Sequence, residues 1–345
     1  MIEPSMSRPT ILLGMPADNE IFRLIEKNLL HHGFDVINII DQEKFRYPSL
    51  SARVKTKFRQ LILQDKQAKN RLKAELASQK AIEKISSFGR IDYALFIRAD
   101  IYSVKLLNEI RRYIDKCMIN YQWDGMHRYP DIQACIPYFD RFYVFDAKDV
   151  SAPFLPNTNF YFDYDLDLPD PTTDFYFVGS HLDGRHTAIA NFGKLAQSEG
   201  WNIDFHICLG CKNAAQLNHY RSLYPTDNIN FLTHYRSFEQ NLNAAKRAKV
   251  LMDFKTPIHN GLSFRVFEAL GYRKKLITTN SEIEKYDFYH PNNILIWDGV
   301  DFDLVKAFLK LPYHPLPDSI YEKYSFGNWI RYVLQIEPYL EIRLP

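Results

Sequence analysis

The apolar run Val250 to Phe254 (VLMDF) is followed, after a short loop, by Gly261-Leu262-Ser263, with Arg265 and Glu268 three residues apart beyond it. The spacing predicts a strand, a loop and then a helix beginning at Ser263. A helix start carries unpaired backbone N–H groups and the positive end of the helix dipole, a combination that suits an anion. A diphosphate would fit the stretch from Asn260 through Gly261 and Leu262 to Ser263. One turn on, Arg265 and Glu268 share nearly one helix face. A guanidinium there can fork onto phosphate oxygens, and a carboxylate can accept both hydroxyls of a ribose. The same two residues would also make an i,i+3 ion pair on a capped helix, worth about a few tenths of a kcal/mol.

Three further side chains stand where strands are predicted to end. Asp100 follows Ile91 to Ile97 (IDYALFI), and Asp124 and His127 follow Lys116 to Asn120 (KCMIN). Open parallel sheets present ligands beyond the carboxyl ends of their strands, so each is a candidate general base. Cys208 and Cys211 have the spacing of a metal or redox pair, but no second pair complements them and neither role is expected. Asp163, Asp165 and Asp167 alternate in a stretch with prolines at 153, 156, 169 and 171, and read as a solvated acidic crossing between domains.

The elements that must position these residues alternate. Thr10 to Met15 is an apolar run, Ile21, Leu24, Ile25 and Leu29 repeat at helical spacing, Gly33 stops that helix, and Asp35 to Ile40 is a second run. A β-α-β opening of this kind marks a parallel, doubly wound sheet. Further strands are expected at 91–97, 116–120 and 141–146. After the proline-rich crossing the pattern restarts, with strands at 175–179, 203–209, 229–232, 250–254 and 275–279 and helices at 185–199, 237–248 and 263–270. A chain of 345 residues has room for two such α/β domains, each with its own core. The high aromatic content, 15%, is expected mainly to fill those cores, although it would also suit sugar-stacking surfaces.

A net charge of +2 gives no whole-protein attraction for nucleic acid, which is not expected as a partner. Four scattered cysteines do not make a disulfide framework and point to a reducing cytoplasm. The N-terminus lacks the basic start and apolar core of an export signal, and no apolar run approaches the ~18 residues of a membrane span. Charge is concentrated, however. Residues 51–90 hold seven lysines and four arginines against Asp65, Glu75 and Glu83, a local net charge of +8 that leaves about −6 for the rest. There Val54, Phe58, Leu61, Ile62, Leu72 and Leu76 lie three, four or seven apart, predicting one or two amphipathic helices over 50–88. Their basic face would suit an anionic membrane or an acceptor's phosphates, or would simply be solvated.

The string G261-L-S-x-R-x-F-E-A-L-G271, followed by K-L-I-T-T-N280, resembles the C-terminal motif of group-1 glycosyltransferases of the GT-B architecture, in particular the polysaccharide-biosynthesis and spore-coat-maturation branch. F177-V-G-S-x-x-x-x-R185 is similar to the strand, glycine turn and arginine that open the same domain. The resemblance implies two Rossmann-like α/β domains facing across a cleft, over 1–160 and 161–318. A terminal segment, 319–345, would carry a helix (Ile320 to Leu334) back to the first domain. It implies Glu268 as the ribose ligand and Gly261, Leu262 and Ser263 as diphosphate-binding backbone. Arg265 and Arg185 become phosphate contacts, Gly179 a point of close approach, and Thr278, Thr279 and Asn280 the border of the pocket. Where many members place a second glutamate, this chain has His259 and Asn260. The implied activity is sugar transfer from a nucleotide-diphosphate donor to a glycan or lipid-linked acceptor of bacterial surface polysaccharide or lipopolysaccharide. It would proceed in the cytoplasm or at the inner membrane face, with Trp123 able to stack on a sugar. No cofactor or tightly bound metal is expected, because a helix start and cations offset the leaving-group charge. Two alternatives stand beside it: a sugar-nucleotide epimerase of the same architecture, and a non-catalytic binding protein using the basic helices.

Overall fold

The structure, a computed structural model, describes residues 8–42, 45–61, 64–65, 68–210 and 214–345. Ile62 and Cys211, and Lys66 among the seven lysines of 51–90, lie outside them. The first sheet is built from β1 (Thr10–Gly14), β2 (Asp35–Asn38), β3 (Ile91–Ile97), β4 (Ile114–Gln122), β5 (Arg141–Val144) and β6 (Phe154–Pro156), in the order β2-β1-β3-β4-β5-β6. The first half also holds the helices α1 (Ile21–His31), α2 (Leu50–Leu61), α3 (Ala68–Phe88) and α4 (Val104–Arg111). The second half runs β7 (Thr173–Ser180), α5 (His186–Glu199), β8 (Ile203–Cys208), α6 (Ala214–Ser222), β9 (Ile229–Leu232), α7 (Phe238–Lys246), β10 (Ala248–Asp253), α8 (Phe264–Gly271), β11 (Lys275–Thr278) and β12 (Ile294–Ile296). It ends in α9 (Phe302–Lys310), α10 (Asp318–Lys323) and α11 (Phe326–Leu334). Its sheet has the order β12-β11-β10-β7-β8-β9, with every neighbouring pair parallel.

The described residues cluster into two compact units. One takes those of Met1–Ala17, Leu29–Gln122 and Met126–Phe142, the other Asp18–Asn28, Trp123–Gly125 and Tyr143–Pro345. In the second unit the strand period of two sorts the core onto both sheet faces. Phe175 and Phe177 of β7 and Val250 and Met252 of β10 join Ile189 and Phe192 of α5 and Phe308 of α9 on one face. Tyr176 and Leu251, one residue out of step, meet Val266, Phe267 and Leu270 of α8 on the other. Aromatic residues account for much of both clusters, the use the composition favoured.

The structure departs from the sequence reading at the crossing. Asn157 to Phe162 is buried, because Phe160 packs against Phe264, Phe326 and Trp329. Trp329 Nε1 donates to Thr158 O at 3.1 Å and Tyr332 OH to Pro156 O at 3.2 Å, fixing α11 to this segment. Two of the three alternating carboxylates are tied to helices: Asp163 accepts the Gly327 N–H at 3.0 Å, and Asp165 pairs with Lys246 at 2.7 Å. Asp167 alone is solvated as expected. The single helix predicted over 320–334 is two, interrupted where Ser325 caps α11 by accepting the Asn328 N–H.

Candidate functional site

From β7 the chain moves outward through β8 and β9 and then returns to lay β10 on the other side of β7. The winding therefore reverses between β7 and β10, and the crevice beyond the carboxyl ends of such a pair is where open α/β sheets take ligands. A cavity of about 250 Å³ lies there, lined among others by Gly179, Arg185, Arg236, Asp253, Ser263, Arg265 and Glu268.

Arg265, in the first turn of α8, donates from Nη1 to Glu268 Oε2 at 2.6 Å, and its guanidinium lies 4.7 Å from the centre of the Tyr176 ring. Glu268 is 2% exposed. The i,i+3 pair is thus formed, and formed out of water, while Glu268 Oε1 has no partner among the described residues. Burial pushes the Glu268 carboxyl above the ordinary range, with the charge of Arg265 opposing. On Arg265 burial acts against the charge, and Glu268 and Tyr176 outweigh it.

Arg185 immediately precedes α5. It donates to the Ser180 carbonyl, and from Nη1 to Phe254 O at 3.4 Å and Thr256 Oγ1 at 3.5 Å. Gly179 makes room for it: a Cβ there would stand 2.8 Å from Arg185 Nη2 and 2.9 Å from Phe177 Cζ. The clearance expected for an approaching phosphate is occupied by the arginine itself.

Asp253 closes β10, buried, and accepts the Ser263 hydroxyl at 2.7 Å on one carboxylate oxygen and the Thr278 hydroxyl at 2.8 Å on the other. Its negative charge supports those of Arg185 and Arg265. Ser263 is the N-cap residue of α8, yet with its hydroxyl turned to Asp253 it caps nothing. No acceptor among the described residues takes the N–H groups of Ser263, Phe264 or Arg265, all of which line the cavity. Open N–H groups at the positive end of a helix suit an anion.

The structure therefore gathers Gly179, Arg185, Ser263, Arg265 and Glu268 around one cavity. Asn260, Gly261 and Leu262 are not in its lining. The Asn260 N–H donates to Asp146 at 2.9 Å, and the Leu262 carbonyl accepts from Asn159 at 2.9 Å. A Cβ on Gly261 would stand 2.3 Å from the Phe145 ring. Thr278 is held by Asp253, Thr279 accepts the Lys255 N–H at 2.8 Å, and Asn280 caps the turn Ser281–Lys285. Arg236, Tyr235, Asn241 and Asn19 line the cavity without having been read from the sequence. Arg236 follows the end of β9 and has no hydrogen bond or ion pair among the described residues. Its place just past a predicted strand end was the available signal.

Of the candidate bases, Asp100 lies in the turn Ala99–Ile101, half-buried and bonded by Arg98 at 3.1 and 2.8 Å. Arg98, at a left-handed φ of 59°, stacks 3.3 Å from the centre of the Tyr129 ring. Asp124 is half-buried beside Trp123, whose ring meets Phe264 edge-on at 5.9 Å. His127 is exposed in the turn Met126–Arg128. Cys208 is a free thiol lining the cavity.

No protein-family model and no curated protein sequence matches the chain. Solved structures do. An α-glucosyltransferase in complex with UDP and a 13-mer DNA containing an HMU base superposes with a TM-score of 0.56 at 9% identity, over 88% of this chain and 90% of that one. The UDP-GlcNAc 2-epimerase from Neisseria meningitidis bound to UDP-GlcNAc gives 0.48 at 8% identity, over 94% and 98%. The E. coli heptosyltransferase WaaC with ADP gives 0.42 at 13% identity, over 88% and 99%. With its two six-stranded α/β sheets, the chain has the GT-B fold. Among the described residues, no helix is long and apolar enough to cross a membrane.

Proposed function

We propose that the chain is a glycosyltransferase that moves a sugar from a nucleotide-diphosphate donor to a glycan or lipid-linked acceptor of bacterial surface polysaccharide or lipopolysaccharide. The observation that carries this reading is the uncapped start of α8, set among Arg185, Arg236 and Arg265 and one turn from a buried carboxylate. A polyanion with hydroxyl groups would use all of these together. The diphosphate takes the Ser263 to Arg265 N–H groups and the arginines, and Glu268 Oε1 accepts from the ribose. In the transfer an acceptor oxygen bonds to the anomeric carbon, the bond from that carbon to the diphosphate oxygen breaks, and the acceptor proton passes to a base. Asp100, Asp124 and His127 are the nominees for an inverting transfer. Charge building on the departing diphosphate meets the helix start and the cations, so this reading calls for no tightly bound metal.

The test is thermal unfolding with UDP, GDP, ADP, CMP and their sugars. A ligand at a hundred times its Kd adds about 2.7 kcal/mol to stability. One nucleoside diphosphate is expected to stabilise, and its sugar to be consumed when acceptor is supplied. Stabilisation by none of them overturns the reading, and epimerised sugar nucleotide formed without acceptor replaces transfer with epimerisation.

A further inference from the structure

α2 is built inside out. Its covered positions are Ala52, Thr56 and Gln60, whereas Leu50, Val54 and Phe58 are 80%, 66% and 56% exposed. At ~100° per residue, the three large apolar side chains fall within an arc of about 80°, and the covered face is centred about 160° away. A surface helix of a globular domain ordinarily does the reverse. The covered side needs no large apolar residue, since the Thr56 hydroxyl is satisfied by Ala52 O at 2.8 Å. The helix is otherwise well made, with Ser49 accepting the Ala52 N–H at 3.1 Å as its cap.

The charges follow the same geometry. Arg53 and Lys57 run along one edge of the exposed stripe, Lys55 and Arg59 along the other, and the sequence of α2, LSARVKTKFRQL, has no acid. None of these four cations makes a side-chain hydrogen bond or ion pair among the described residues. In α3, by contrast, Lys84 donates to Asn38 O and Lys73 pairs with Asp41. The unneutralised part of the basic segment thus lies astride an apolar stripe that the protein leaves uncovered. Long cationic stems flanking such a stripe can reach up to phosphates while the stripe goes down, the disposition of a helix lying in a lipid interface.

We propose that α2 docks this chain on an anionic phospholipid surface, with Leu50, Val54 and Phe58 entering the acyl boundary and Arg53, Lys55, Lys57 and Arg59 meeting headgroup phosphates. This goes beyond the proposed sugar transfer and does not depend on it. The test is co-sedimentation of the full chain with vesicles of phosphatidylglycerol and phosphatidylcholine, against phosphatidylcholine alone, at low and high salt. Binding is expected only to the anionic vesicles and is lost in high salt. Val54→Ser with Phe58→Ser should weaken it by at least about tenfold, and Arg53→Glu with Lys57→Glu by more, at roughly fivefold per charge removed. Both pairs are solvent-facing, so unchanged circular dichroism and Tm are expected. Failure of the intact chain to bind anionic vesicles overturns the proposal, as does equal binding by both double variants. A dimer in sedimentation velocity that Val54→Ser with Phe58→Ser turns to monomer also overturns it, and gives the stripe to a second copy.

Discussion

Glu268 is the residue whose replacement reads the site most directly, provided the replacement is chosen to spare the fold. Alanine would strand the buried Arg265 guanidinium, at a cost of about 3–5 kcal/mol, and confuse lost binding with unfolding. Glutamine keeps the volume and one oxygen for the 2.6 Å contact with Arg265. What it replaces is the charged second oxygen, the one free to accept from a ribose, by an amide NH2 that can only donate to the hydroxyl oxygen. A hydrogen bond to a charged group contributes about 1.5–3 kcal/mol and a neutral one about 0.5–1.5. The difference, about 1–2 kcal/mol, weakens the Kd of the selected nucleoside diphosphate roughly five- to thirtyfold. The assay is calorimetric titration of wild type and Glu268→Gln with that diphosphate and with its 2′-deoxy form. Wild type should prefer the ribonucleotide, and the variant should lose most of that preference while its affinity for the deoxy form changes little. A folded Glu268→Gln variant with unchanged affinity and an unchanged ribo-to-deoxy ratio would refute the assignment of Glu268 to the ribose.

Three further outcomes are expected. Arg236→Ala should cut diphosphate affinity about tenfold, the worth of one charge-assisted contact, with Tm in the absence of ligand little changed because the side chain has no hydrogen bond or ion pair among the described residues to lose; a drop in Tm with intact binding would count against it. Gly261→Ala drives a Cβ to 2.3 Å from the Phe145 ring, so urea unfolding should register a loss of about 1–3 kcal/mol, relieved by Phe145→Leu. His181 is half-buried, with Nδ1 2.8 Å from the Tyr224 hydroxyl, and its loss of water holds the imidazole below the ordinary 6.5 against the pull of Asp183. The unfolded chain then takes up this proton first as pH falls, so stability declines from about pH 6.5 downward. Wild type should therefore lose more Tm between about pH 7 and pH 5 than His181→Gln, and equal losses would show that this group does not contribute.

What the sequence disclosed was what is local. β3 and β10 contain the apolar runs Tyr93–Ile97 and Val250–Met252, as strands buried on both faces do, and α1 and α8 carry an unbroken helical period. α4 and α9 went unread although Ser103 and Asp301 cap them, and β12, three residues long, is too short to show a period. At 157–162 the flanking prolines and acids set the apparent composition, and the alternation around Phe160 and Phe162 was hidden by it. The same division runs through the site. Gly179, Arg185, Ser263, Arg265 and Glu268 fall in two short strings and were read together. Arg236 and Asn241 reach the cavity because the chain returns from β9 through α7 to lay β10 beside β7, which is a property of the strand order.

Asp253 carries this furthest. In sequence it is the last residue of an apolar run, and Ser263, ten residues on, looks like a helix cap. The register of β10 against β11 sets Asp253 opposite Thr278, and the two carboxylate oxygens then take the hydroxyls of Thr278 and Ser263. A serine that would otherwise satisfy the first turn of α8 is drawn away from it, and the carboxylate that draws it also supports the charges of Arg185 and Arg265. The helix start stays open, and the charges of both cations are supported, through one buried group that need not touch a ligand itself. The ion pair, the glycine and the cap are each ordinary features of a folded chain. A strand register that no local pattern encodes brings them together around one cavity.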